Sequence, residues 1–150
     1  NQPLVREAIA DLRNLLKNRP ADDKDILRAV NGWREEAEVR CVDHQIELDW
    51  QQDIVPAPIA AKCFDHITSV LRESLSNAVR HASDKAVRIR INGNPDELQI
   101  VVSNQFQGRQ GCEGNGLENI RNRMLDAGGV CAISQNGNEW QVRLAVALRD

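Results

Sequence analysis

Three polar side chains recur at four-residue intervals in ESLSNAVRHA: a carboxylate at Glu73, an amide at Asn77 and an imidazole at His81. Steps of four residues turn only about 40° around an α-helix and climb about 6 Å, so in a helix the three form one slightly slanting row. Val70, Leu71, Leu75, Ala78 and Val79 claim a core for the same helix. The row therefore falls where the helix edge would meet a cavity. A solvated face is the plain alternative. Asn77 speaks against it, because asparagine is a poor helix former and gains nothing on an exposed mid-helix surface. A carboxylate that can orient water, beside an amide oxygen that can coordinate a hard cation, suits Mg²⁺ carrying a phosphate ligand. Arg80 and His81, at the next turn, are placed to neutralise phosphate oxygens.

A second constellation is GCEGNGLENIRNRM, from Gly111 to Met124. Glycines ahead of a helix let backbone N–H groups approach an anion, and the helix N-terminus adds partial positive charge. Arg121 and Arg123 occupy the following turns, where one of them can reach a phosphate. Such loops often only cap a helix. This one gains weight because it follows a strand and a glycine-rich loop, downstream of the Glu73/Asn77/His81 row.

These residues need elements to hold them. Leu4, Ile9, Leu12, Leu15 and Leu16 recur at helical spacing up to Pro20. Asp22 or Asp23 can cap a second helix carrying Ile26, Leu27, Val30 and Trp33. From Arg40 to Asp49 apolar and polar residues alternate, which predicts a strand with Val42, His44, Ile46 and Leu48 on one face. Pro56 and Pro58 introduce a long helix running to about Ala82. Val87, Ile89 and Ile91 predict a strand, Gly93 to Asp96 a turn, and Leu98, Ile100 and Val102 the return strand. A polar, glycine-rich loop from Ser103 to Gly116 leads to a helix over about Leu117–Asp126, ended by Gly128-Gly129. Two last strands flank an Asn136-Gly137 turn. Helices and strands do not alternate strictly, so the expected fold is α+β: a two-layer α/β sandwich with one mixed sheet covered on one face by helices.

Composition narrows the function classes. The chain has 150 residues, 41% apolar and 27% charged, as a single globular domain would. A net charge of −3, with no basic block, excludes nucleic acid as the main partner. Cys41, Cys63 and Cys131 read as core fillers in a reduced cytosol, whereas Cys112 lies in the polar glycine-rich stretch and is open to exposure. No apolar run approaches the ~20 residues of a membrane span, so no membrane contact and no signal peptide are expected. The chain opens directly into a helical pattern, as a fragment of a longer protein would.

The E-x-x-x-N-x-x-x-H pattern of ESLSNAVRHA resembles the N box of the ATP-binding domain shared by sensor histidine kinases, gyrase, Hsp90 and MutL. GNGLENIRNRM followed by AGG resembles the G-x-G-L segment of nitrate/nitrite-sensor-like histidine kinases. The resemblance extends from about Leu12 to Leu148. It implies a Bergerat-type fold over residues 21–150, with residues 1–20 as the end of a dimerisation helix. It further implies Mg²⁺ and ATP as cofactors and transfer of the γ-phosphoryl to a histidine on a dimerisation domain outside this chain. Glu73 would be the base or water-orienting carboxylate. Asn77 would hold Mg²⁺ among the phosphates, with Arg80 and His81 nearby. Gly114, Gly116 and Leu117 would shape the lid and its phosphate contacts, with Arg121 and Arg123 behind them. The loop from about Gln105 to Glu113 would be a short ATP lid. The implied partners are the protein's own phosphoacceptor domain, a second copy in the full-length homodimer and a cognate response regulator. The implied location is the cytoplasm, as part of a longer protein of a kind that can be anchored in the bacterial inner membrane.

Three positions depart from that pattern. Where the family has an Asp that accepts from the adenine amino group, this chain has Asn104. Phe106 replaces an expected glycine, and Trp140 follows Glu139 where Gly-Thr is expected. An Asn oxygen still accepts, without the charge. The phosphate half of the site is thus intact and the adenine half altered, which keeps a second reading open: a degenerate kinase domain acting through protein contacts. None of His44, His66 and His81 sits in a phosphoacceptor context, with His44 expected inward on its strand, so the acceptor would lie outside the chain.

Overall fold

The computed structural model describes residues 24–106 and 115–148. In chain order the elements are β1 (Lys24–Asp25), α1 (Ile26–Asp43), β2 (Glu47–Ile54), β3 (Pro58–Ile59), α2 (Ala61–His81), β4 (Ala86–Gly93), β5 (Glu97–Gln105), α3 (Asn115–Asp126), β6 (Gly129–Asn136) and β7 (Glu139–Ala147). The lead-in helix expected over residues 1–20, Gly114, Cys112 and most of the expected lid lie outside the described residues.

Asp25, rather than Asp22 or Asp23, caps α1: its carboxylate accepts from the Leu27 N–H at 3.0 Å. The helix then runs to Asp43, through half of the stretch whose alternation predicted a strand. That expectation is corrected by a competing periodicity. Ile26, Val30, Trp33, Ala37 and Cys41 are all buried at steps of three or four, so the helical stripe continues past Arg40. Val42, placed inward by the strand reading, is 74% exposed. His44 is not inward on a strand either; it is exposed at the C-cap of α1. Gln45 then adopts φ 57°, which ends the helix and lets β2 start at Glu47.

Five strands form a mixed sheet in the order β2-β4-β5-β7-β6. The β2–β4 pair is parallel, and every other neighbour is antiparallel. The two short strands β1 and β3 pair separately. Asn94 closes the β4–β5 turn by accepting from the N–H groups of Asp96 and Glu97, both at 2.8 Å. Gly128 ends α3 at φ 79°, and a Cβ on the next residue, Gly129, would run into the Ala145 carbonyl and the Met124 methyl. The glycine pair is therefore a stop followed by a close approach.

One face of the sheet is the core. Val87, Ile89 and Ile91 of β4, Leu98, Ile100 and Val102 of β5, and Val142, Leu144 and Val146 of β7 are buried there. Against them pack Ile67, Val70, Leu71, Leu75 and Ala78 of α2, with Ile120 and Met124 of α3. Each Val, Leu, Ile or Met side chain among them contributes roughly 1.5–3 kcal/mol by leaving water. The residues between them on the strands, including Arg88, Arg90, Gln99 and Arg143, face the other way, so a single helical layer covers one side. This is the expected two-layer arrangement. Helix α1 is joined to α2 by Trp33, whose ring stacks on Phe64 at 5.6 Å and whose Nε1 donates to Thr68 Oγ1 at 2.9 Å.

Candidate functional site

Helix α2 turns Ser74, Leu75 and Ala78 toward the sheet, which leaves Glu73 and Asn77 part-buried at its edge and His81 exposed at its last residue. Helix α3 packs beside it by burying Ile120 and Met124, and this rotation brings Arg123 round to α2. Glu73 and Arg123 consequently line one cavity of about 350 Å³, together with Asn119 of α3 and Ser76 of α2. Two motifs fifty residues apart in sequence thus meet across a gap wide enough for a phosphate-sized group.

Other expected site residues fall elsewhere. Arg80 is exposed and lines a neighbouring groove of about 760 Å³ between α1 and α2, with Asp43 and His44, which shares Arg40 and Ser76 with the Glu73 cavity. Arg121 projects beside Cys131: burial pushes that thiol up from its ordinary range, and the Arg121 guanidinium pulls it partly back. Gly116 and Leu117 lie in the first turn of α3. Asn77 is one helical turn beyond Glu73 on the same helix. Burial likewise raises the thiols of Cys41 and Cys63.

The opposite end of the candidate site is built from strands. Asn104 lies on the helix-facing side of β5, with Val87 of β4 and Trp140 of β7 directly across from it. It is 1% exposed. Its Nδ2 donates to the Gln105 carbonyl at 3.1 Å, while its Oδ1 is buried with no hydrogen-bond partner. An unmatched buried acceptor costs about 1–3 kcal/mol; the oxygen is sealed by its neighbours, so an outside donor reaches it only if that packing opens. Phe106 and Trp140, both buried, meet edge-to-face with centroids 6.1 Å apart. The Phe106 N–H is tied to the Asn138 carbonyl at 2.8 Å. The three departures from the family pattern are therefore one packed cluster.

The cavity lining carries guanidinium, carboxylate, hydroxyl and amide groups of the kinds that contact phosphate. Arg123 makes no ion pair among the described residues. The described residues hold no group of three or more His, Cys, Asp or Glu side chains able to bind a metal. A hard cation here would take most of its oxygens from phosphate and water, as Mg²⁺ commonly does; the amide that lines the cavity is Asn119, and Asn77 stands one turn along α2 from Glu73. Sequence reasoning missed Arg40, Ser76 and Asn119 as lining residues. The signal for Arg40 was the helical stripe ending at Cys41, obscured by the apparent strand.

No family model matches the chain. It is 26% identical over 133 residues to the signal transduction histidine-protein kinase/phosphatase UhpB of Salmonella typhimurium, covering 87% of this chain and 26% of that protein. It is also 26% identical over 108 residues to the sensor histidine kinase LiaS of Bacillus subtilis, covering 69% and 29% respectively. The chain thus spans between a quarter and a third of the length of these relatives. Among solved structures, the catalytic domain of histidine kinase ThkA superposes with a TM-score of 0.66 at 13% identity, covering 84% of this chain and 97% of that one. The fold is that of a histidine-kinase catalytic domain. Helix α2 bears this domain's N-box pattern and α3 follows its G-x-G-L pattern, so the resemblance read from the motifs and the likeness of the whole fold agree. The sequence likenesses run to sensor histidine kinases as well.

Proposed function

We propose that this chain binds Mg·ATP and donates the γ-phosphoryl to a histidine on a dimerisation domain beyond it, as the catalytic part of a two-component sensor kinase. The observation that carries the reading is the meeting of Glu73 and Arg123, from separate motifs, on one cavity between α2 and α3. Arg123 donates to phosphate oxygens, and Asn77 offers its amide oxygen to the cation. Glu73 orients the incoming nucleophile or accepts its proton. Asn104 accepts from the amino group of the base through Oδ1, the oxygen left free once Nδ2 is tied to Gln105. Bound magnesium would supply charge neutralisation at the phosphates. The acceptor histidine lies elsewhere: His44 and His81 are at helix ends, and His66 sits within α2 with its Nδ1 buried. A second copy of the full-length protein and a response regulator are the partners this role requires. No described helix is long and apolar enough to cross a membrane, in keeping with a domain working on the cytoplasmic side.

Calorimetry with and without Mg²⁺ tests the reading: micromolar to sub-millimolar ATP binding is expected, and no heat at millimolar ATP sinks it. The buried Phe106–Trp140 pair favours a second reading, a degenerate domain that works through protein contacts. Under it, combining Asn104→Asp, Phe106→Gly and Trp140→Thr creates nucleotide binding that the native chain lacks. Native binding of ATP disposes of that alternative.

A further inference from the structure

The cavity beside Glu73 has a third wall that neither motif supplies. Arg40, in the last turn of α1, reaches across the outer side of α2 and lines the same cavity as Glu73 and Arg123. Its Nη1 donates to Ser76 Oγ at 2.7 Å and to the Arg72 carbonyl at 3.3 Å. Those two bonds pin the guanidinium, while its Nε and Nη2 make no hydrogen bond and the group joins no ion pair among the described residues. Arg72, a neighbour on the same cavity, is different: its Nε is held by Glu36 at 2.7 Å. Two arginines without an ion pair among the described residues, Arg40 and Arg123, therefore line the cavity from α1 and α3; Arg40 also borders the neighbouring groove that holds Glu36 and Asp43. Glu73 between them pairs with neither. A guanidinium fixed at one nitrogen and free at the others is a preorganised fork for a phosphate oxygen pair.

We propose that Arg40 is a phosphate-binding residue of the nucleotide site, contributed by α1 and held in place by Ser76. This rests on the reading of the site given above. The competing role is a staple between α1 and α2, with a cation set favourably at the C-terminal end of α1. A staple stabilises the fold whatever is bound; a phosphate ligand discriminates by phosphate number.

The test measures ATP, ADP and AMP affinities by calorimetry, and thermal unfolding without nucleotide, for the native chain, Arg40→Gln and Arg40→Lys. Arg34→Gln is the control, since Arg34 lies on the same helix in an exposed pair with Glu38. Arg40→Gln is expected to weaken ATP about tenfold, the size of one lost charged hydrogen bond, and ADP less, while AMP changes by under about twofold. Arg40→Lys, which keeps the charge but loses the fork, is expected to fall between. Equal losses for ATP, ADP and AMP, or ATP binding as in the native chain, overturn the assignment while leaving the proposed function standing. If the native chain binds no nucleotide, the proposed function falls and the Arg40 assignment falls with it.

Discussion

Around Glu73 the site is open, charged and drawn from three helices; around Asn104 it is closed, aromatic and drawn from strands. The first region keeps unpaired groups of both signs at the rim of a cavity, where water satisfies them until a ligand arrives. The second holds one unpaired oxygen in a place water does not reach, wedged beside two large rings. Charged recognition thus tolerates exposure and waits for its ligand. Recognition of a base by a single neutral acceptor works only where solvent is excluded, so its surroundings must be packed. The altered residues Asn104, Phe106 and Trp140 all lie on the packed side, where substitutions must be made together to preserve volume.

The contrast can be broken most sharply at Glu73. In the full-length protein, Glu73→Gln is expected to lower phosphoryl transfer by about 10²–10⁴-fold while changing ATP affinity little. Radiolabel transfer within threefold of the native rate would remove Glu73 from the chemistry. Next is Trp140→Ala, expected to lower stability by about 3–5 kcal/mol through the cavity it leaves, read as a fall in the denaturant midpoint. If ATP affinity rises in that variant, Trp140 occupies space that a base would use. Asn104→Leu separates cost from function. Stability should hold to within about 1 kcal/mol, because the lost bond to Gln105 is offset by removal of an unmatched acceptor, while preference for ATP over GTP should vanish. A loss above about 2 kcal/mol would mean that Oδ1 has a partner in solution. The smallest effect is chelation. EDTA is expected to weaken ATP several-fold and leave AMP untouched, confining the metal's influence to the charged region; parallel losses for both would erase the distinction.

Helix α2, the β4–β5 hairpin, α3 and the final hairpin were legible because each carries one periodicity bounded by proline, glycine or asparagine. The stretch from Arg40 to Asp49 was not, because two periodicities overlap in it. Val42, His44, Ile46 and Leu48 alternate, yet Trp33, Ala37 and Cys41 extend a helical stripe through its first half. The stripe prevails because it buries Cys41 against a formed core, whereas the alternation would bury His44. That single misreading also hid Arg40, since a strand would not have aimed it over α2. Strands β1 and β3, of two residues each, are too short to show any period. The Glu73/Asn77/His81 row was visible as a row, but which of the three meets Arg123 across a cavity depends on where α3 packs, which local spacing does not encode.

The chain has three tryptophans and no tyrosine. Trp33 and Trp50 belong to α1 and β2, at one edge of the sheet, and each indole N–H is already bonded, to Thr68 and to Gln52. Trp140 stands across from Asn104, three strands away from β2. The molecule therefore carries one intrinsic fluorophore beside Asn104 and two at the far side of the sheet. Emission that shifts with ATP yet stays constant with inorganic triphosphate would locate the base optically, without a label or a mutation.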